Sequence, residues 1–121
     1  MGMHPAGHVM SYIRPNLATQ VRTSQDVMKL HDGAQITVAG LVIRRQRPLG
    51  KAVFITLQDE FGHTPLILWP KVYWLYRQAL NEPIILVHGT VSRRDGTMNI
   101  VVSHVQATPP LEAMPKAQNW R

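Results

Sequence analysis

In Gln35-Ile36-Thr37-Val38-Ala39-Gly40-Leu41-Val42-Ile43 the apolar residues alternate and then slip. Ile36 and Val38 take turns with Gln35 and Thr37, the two-residue period of a strand with one buried face. Gly40 interrupts, and the apolar set moves to Leu41 and Ile43, as expected where a strand bends or bulges and exchanges its faces. A long first strand with a glycine bend implies a barrel.

The chain on either side is consistent with that. Val53, Ile55 and Leu57 alternate with Phe54, Thr56 and Gln58, and the turn residues Asp59-Glu60-Phe61-Gly62 lead into Leu66-Ile67-Leu68-Trp69, so strands two and three form a hairpin. Pro70 can open a helix, where its missing N–H costs nothing, and Val72, Leu75, Tyr76, Ala79 and Leu80 fall on one face until Asn81-Glu82-Pro83 ends it. Ile84 to Val91 and Met98 to Val105 read as strands four and five, joined at Arg94-Asp95-Gly96-Thr97. Three strands, a helix and two strands is the order of a five-stranded Greek-key OB-fold barrel, an all-β class with a helix between strands three and four. Upstream, Val9, Tyr12 and Ile13 share a helical face before Pro15, and Val27, Met28 and Leu30 precede Asp32-Gly33, so a short helical N-terminal extension is expected. We divide the chain into an extension over 1–33, a barrel over 34–107 and a polar C-terminal tail over 108–121.

With 121 residues the chain has the size of one domain. The absence of cysteine excludes disulfides and thiolate metal sites and fits a reducing, cytoplasmic setting. No segment reaches the ~20 apolar residues of a membrane span, and residues 1–7 lack the pattern of a secretory leader.

The formal charge is +6, and residues 35–106 hold eight Lys or Arg against four acids. Arg44 to Lys51, Arg-Arg-Gln-Arg-Pro-Leu-Gly-Lys, places four cations and no acid in the loop after strand one. Arg93 and Arg94 sit at the loop between strands four and five. OB barrels commonly bind oligonucleotides on the face of strands two and three between these two loops, and each cation along a phosphodiester backbone releases a condensed counterion. The expected contacts are therefore Arg44, Arg45, Arg47, Lys51, Arg93 and Arg94. Arg45 and Arg47 should share a face and Arg44 should point the other way. Among these the alternation favours Arg45, Arg47, Lys51 and Arg93 over Arg44 and Arg94. The acidic pair Asp59 and Glu60 falls in the turn at the far end of strand two, segregated from the cations of the two loops. Trp69 reads as core or barrel-mouth packing, and Trp74, off the buried helical face, as exposed and in contact with the N-terminal extension.

His4 and His8 have helical metal-ligand spacing, but Pro5 and Gly7 between them oppose a helix and no acid or cysteine completes a set, so no metal or cofactor is expected. His63, His88 and His104 are scattered. No clustered carboxylates and no phosphate-cradling glycine loop ahead of a helix are present, so the chain reads as a binding module and not an enzyme.

The blocks Gln35-Ile-Thr-Val-Ala-Gly-Leu-Val-Ile-Arg-Arg-Gln-Arg-Pro, Gly50-Lys-Ala-Val-Phe-Ile-Thr-Leu-Gln-Asp-Glu-Phe-Gly62 and Leu66-Ile-Leu-Trp-Pro-Lys-Val-Tyr resemble the C-terminal OB domain of bacterial DNA polymerase III alpha subunits, nearest the error-prone, damage-tolerant branch. His8-Val-Met-Ser-Tyr-Ile-Arg-Pro-Asn-Leu resembles the segment leading into that domain, so the likeness runs from residue 8 to 106. More distantly, Phe-Ile-x-Leu-x-Asp is similar to the anticodon-binding OB domain of aspartyl-type aminoacyl-tRNA synthetases. The resemblance implies a module that binds single-stranded DNA as template in DNA replication or repair and does not copy it. The palm and other domains of a full subunit need far more chain, so this is an excised module or a free-standing relative of a DNA-directed DNA polymerase. In the wider group the aromatic on strand two, here Phe54, stacks on a base. The synthetases read a base through a polar residue on strand three, and Pro65 at that place departs from the pattern. Other replication or repair proteins, or RNA including tRNA, are the alternative partners.

Overall fold

The computed structural model describes residues 9–11, 13–17, 20–47 and 51–108. In chain order its elements are a 3-10 turn at Arg14–Asn16, β1 (Val21–Arg22), α1 (Ser24–Val27), β2 (Gln35–Gln46), β3 (Val53–Gln58), β4 (His63–Leu68), α2 (Pro70–Leu75), α3 (Arg77–Leu80), β5 (Ile84–Arg94) and β6 (Thr97–Ala107). The sheet runs β1-β2-β3-β4-β6-β5 and closes through β2–β5, giving a five-stranded barrel with β1 added outside as a sixth strand parallel to β2. One helix was expected between the third and fourth barrel strands. Two short ones are found there, because Tyr76 leaves helical geometry at φ −111° and ψ 17°.

β2 pairs with β5 over Gln35 to Leu41 and with β3 over Leu41 to Gln46. Gly40 sits where it passes from one partner to the other. A Cβ there would lie 3.0 Å from the Leu57 Cβ and from the Gln58 carbonyl oxygen, so a side chain would press on β3 and glycine suits the close crossing of the two strands. The expected exchange of faces at Gly40 does not occur. Ile36 and Val38 are core residues and Val42 packs on the same core, whereas Ile43 is 41% exposed. The change of phase comes later. Val42 pairs with Leu57 and Arg44 with Thr56, so Ile43 is an extra residue without an opposite number, a β-bulge.

The barrel interior is filled by the alternate residues of β2 to β6, among them Val53, Ile55, Leu57, Leu66, Leu68, Ile85, Val87, Ile100 and Val102. At roughly 25 cal/mol per Å² of apolar surface removed from water, this core is the main stabilising contribution. Val27 of α1 joins it. A second cluster, Met10, Ile13, Val21 and Ala39, with Val9, Leu17, Ile84 and Leu86 against it, holds the N-terminal segment on the outer wall of β2 and β5. β5 and β6 meet in an Asp95-Gly96 turn with φ of 51° and 81°, the paired positive values of a tight hairpin that favour this dipeptide. Among the described residues no helix is long and apolar enough to cross a membrane.

Candidate nucleic-acid interface

The bulge at Ile43 sets which arginine faces where. Directly opposite residues on paired strands project to the same side, so Arg44 and Gln46, opposite Thr56 and Phe54, share the outer face of the barrel with them. Phe54 in turn lies opposite Ile67, and Thr56 opposite Pro65. The backbone stays extended through Trp69, with ψ 155°, and Trp69 is two residues beyond Ile67, so the outer phase continues onto its indole. Phe54 is 37% exposed and Trp69 53% exposed. Trp69 therefore does not pack in the core or barrel mouth as expected, because the inward position before the helix belongs to Leu68, which is fully buried.

Arg45 and Arg47 share a face, opposite to that of Arg44, and it is the inward one at the mouth of the barrel. Arg45 donates from Nη2 to the Leu80 carbonyl at 2.7 Å, satisfying the end of α3. The Arg47 guanidinium lies 4.8 Å from the Tyr73 ring centroid and 5.3 Å from that of Trp74, and Arg77 lies 5.3 Å from the Trp74 centroid. Trp74 is 54% exposed, as expected. Its ring partners are Tyr73, Arg47 and Arg77 in place of the expected N-terminal extension, which packs on β2 and β5. Lys51 is exposed at the start of the strand-two segment, and residues 48–50 of the basic loop lie outside the described residues.

Arg93 is committed elsewhere. Its Nε donates to the Leu30 carbonyl at 2.8 Å and its Nη2 to the Met28 carbonyl at 2.9 Å, while its backbone N–H donates to Asp32 at 2.7 Å. It closes the C-terminal end of α1. Arg94 is exposed on the hairpin.

The acidic turn is not remote from this second basic loop. β4 runs parallel to β6 with Leu66 beside Ile100, which brings His63 level with Thr97 and so puts the 59–62 turn and the 95–96 turn at one end of the barrel. Asp59, 5% exposed, accepts from Ser24 N–H at 2.7 Å, Ser24 Oγ at 2.6 Å, Phe61 N–H at 2.9 Å and Gly62 N–H at 3.1 Å. Arg14 grips Glu60 with both ends of its fork, Nε at 2.9 Å and Nη2 at 2.7 Å. That hydrogen bond raises the Arg14 pKa. Burial of Glu60 alone would raise its pKa, and the Arg14 hydrogen bond, its own backbone N–H and the guanidinium charge outweigh this to hold it below the ordinary carboxylate value. Asp26 is also lowered, chiefly by the Thr23 N–H that closes the capping box of α1.

The two ends of the barrel thus differ in charge. Around the 59–62 and 95–96 turns stand Asp26, Asp32, Asp59, Glu60 and Asp95 with Arg14, Arg22, Lys29, Arg93 and Arg94, which balance. Around the β2–β3 loop and α2–α3 stand Arg44, Arg45, Arg47, Lys51, Lys71 and Arg77, faced among the described residues by Glu82 alone. His88 is held on the barrel wall between Thr37 Oγ1 at 2.7 Å and Gln35 Oε1 at 2.9 Å. His4 and His8, and residues 109–121 of the tail, lie outside the described residues.

A closed barrel of this strand order, with its helical segment between the third and fourth barrel strands and an exposed aromatic on the second, is an OB-fold. The chain belongs to the tRNA anti-codon family of OB-fold nucleic acid binding domains, whose model matches residues 36–107. It is 38% identical over 108 residues to an error-prone DNA polymerase of Anaeromyxobacter dehalogenans, covering 86% of this chain and 10% of the polymerase. An error-prone DNA polymerase of Sinorhizobium medicae is 32% identical over 109 residues, with the same two shares, 86% and 10%. The chain spans about a tenth of the length of these curated relatives. Among solved structures, asparaginyl-tRNA synthetase from Pyrococcus horikoshii superposes with a TM-score of 0.61 at 23% identity, over 83% of this chain and 28% of the synthetase, a likeness of fold.

Proposed function

We propose that this chain is a non-catalytic module that binds single-stranded DNA across the outer face of β3 and β4. The observation that carries the reading is the row of outward side chains Phe54, Ile67 and Trp69, flanked by Arg44 and Gln46, at the electropositive end of an OB barrel. Flat aromatic faces stack on any base, and guanidinium groups hold phosphate oxygens without reading sequence. The row has few side chains that could discriminate one base edge from another, since Pro65 occupies the outer position opposite Thr56. Sequence-tolerant binding is the consequence. The likeness to error-prone polymerases favours a template strand over tRNA as the ligand, with a cytoplasmic setting and other replication or repair proteins around it.

Fluorescence titration of a labelled ~15-nucleotide single strand at two salt concentrations tests this, with steep weakening at high salt expected. Phe54→Ala should weaken binding ~5- to 150-fold, the equivalent of ~1–3 kcal/mol for one stacked base. Competition with an unlabelled RNA strand and with tRNA should leave DNA the preferred ligand. Absent binding, or binding indifferent to both salt and Phe54→Ala, overturns the proposal.

A further inference from the structure

Arg47, Trp74 and Arg77 form a group that nothing in the barrel requires. The indole carries a guanidinium from each of two different segments, the end of β2 and the start of α3, at 5.3 Å each. Two like charges cannot be farther apart than twice that distance, and Coulomb repulsion at such a separation opposes holding them together. Each cation is attracted by the ring face, which fixes the side chains, but cation–π attraction at an exposed site is worth only ~0.5–1 kcal/mol and leaves the N–H donors free to point outward. The carboxylates near enough to neutralise them are few, Glu82 being the one at this end among the described residues, and the ion pairs found in the described residues are those of Arg14 at the other end. Lys71 on α2, the helix that carries Trp74, adds to the field. Exposed, oriented guanidiniums without acids are matched by an anion with several oxygens.

We infer that Arg47 and Arg77, braced on Trp74, form a phosphodiester clamp on the α2–α3 rim that takes the nucleic-acid strand as it leaves the β3–β4 face. The inference rests on the binding reading above and extends it to a second patch. Trp69 and Pro70 connect the two patches directly, since the outer row ends on Trp69 and α2 begins one residue later. Two guanidiniums no farther apart than twice 5.3 Å are close enough to hold adjacent phosphates of one strand. Arg77 and Trp74 thereby become binding residues, and Arg47 binds from the rim and not from the Phe54 face. Trp74 acts as a brace that positions the two arginines.

The experiment is a salt titration of single-stranded DNA binding by the full chain, comparing wild type, the double variant Arg47→Gln and Arg77→Gln, Trp74→Leu, and Lys29→Gln as a single-charge control at the opposite end. Each phosphate contact on a single strand contributes ~0.7 to the slope of log K against log salt, so the double variant should flatten the slope by ~1.4 and the control should not. Trp74→Leu leaves the charge unchanged and should still weaken binding several-fold, which a purely long-range charge effect would not produce. All four side chains are exposed, and matching thermal melts establish that the variants fold. If wild type binds and the double variant keeps its slope, the clamp is wrong while the β3–β4 interface stands, and an acidic protein then becomes the ligand of the rim. If wild type does not bind DNA, both readings fall.

Discussion

At the end of the barrel that holds the 59–62 and 95–96 turns, two arginines are consumed by the fold: Arg14 is clamped on Glu60 and Arg93 on the carbonyls after α1. At the other end Arg45 is spent on the Leu80 carbonyl that ends α3, while Arg47 and Arg77 rest on an exposed indole and Arg44 stands on the outer face beside Phe54 and Thr56. The same residue type in the same barrel therefore does two things, and the local supply of acceptors separates them. Where carboxylates and helix-end carbonyls crowd a strand end, a guanidinium completes them. Where they are lacking, the guanidinium keeps its donors for a ligand.

The sharpest way to break this contrast is to remove the acceptor that organises the neutral end. Asp59→Ala deprives Ser24 N–H, Ser24 Oγ, Phe61 N–H and Gly62 N–H of their partner in a buried site. With several donors left unsatisfied the loss should be ~3 kcal/mol or more, read as a lowered midpoint in urea unfolding. At low temperature, where the variant is folded, DNA affinity should be close to that of wild type. A variant of unchanged stability would show that water replaces Asp59 without cost and that the turn is not the anchor of α1.

A smaller contrast comes from the arginines. Arg93→Gln removes donors from the Leu30 and Met28 carbonyls and should cost ~1.5 kcal/mol of stability, with little effect on DNA binding beyond the loss of one distant charge. Arg44→Gln should do the converse, leaving the unfolding midpoint in place and flattening the salt slope by ~0.7. If Arg93→Gln weakens binding as much as Arg44→Gln does at equal stability, the division of labour between the two ends is wrong.

Much of the barrel was legible because it is written in short-range pattern. The period-two runs gave the barrel strands, Asp95-Gly96 the hairpin, and Pro70 the start of the helical segment. The facing of the arginines was not legible, since a single bulge at Ile43 shifts every later residue of β2 by one, and no residue type marks which position is the extra one. Gly40 drew attention as the place of change, but its constraint is the close approach of β3 and it leaves the phase alone. The fate of Arg93 and Arg14 depends on partners 63 and 46 positions away, which only the closed barrel brings together. Arg77 was missed for the same reason: nothing local links the start of α3 to the end of β2.

The smallest effect tests the charge balance of the neutral end directly. Glu60 is held ionised more firmly in the folded chain than in the unfolded one, where its ordinary pKa is 4.5. A depressed carboxylate contributes stability that is complete above its unfolded value and lost as pH falls through the lower folded value. The pair is partly exposed, so its contribution should not exceed ~1 kcal/mol. Urea unfolding of wild type and Glu60→Gln between pH 7 and pH 3 should therefore show wild type more stable at neutral pH and the two curves converging as the pH falls below 4.5. Because Arg14 also lies 3.6 Å from Asp59, the variant leaves the arginine with a carboxylate and should not loosen the whole segment. Curves that stay parallel to the acid limit would mean that the Arg14 fork only fills space, and that the acids at this end do not draw arginine away from ligand duty through charge.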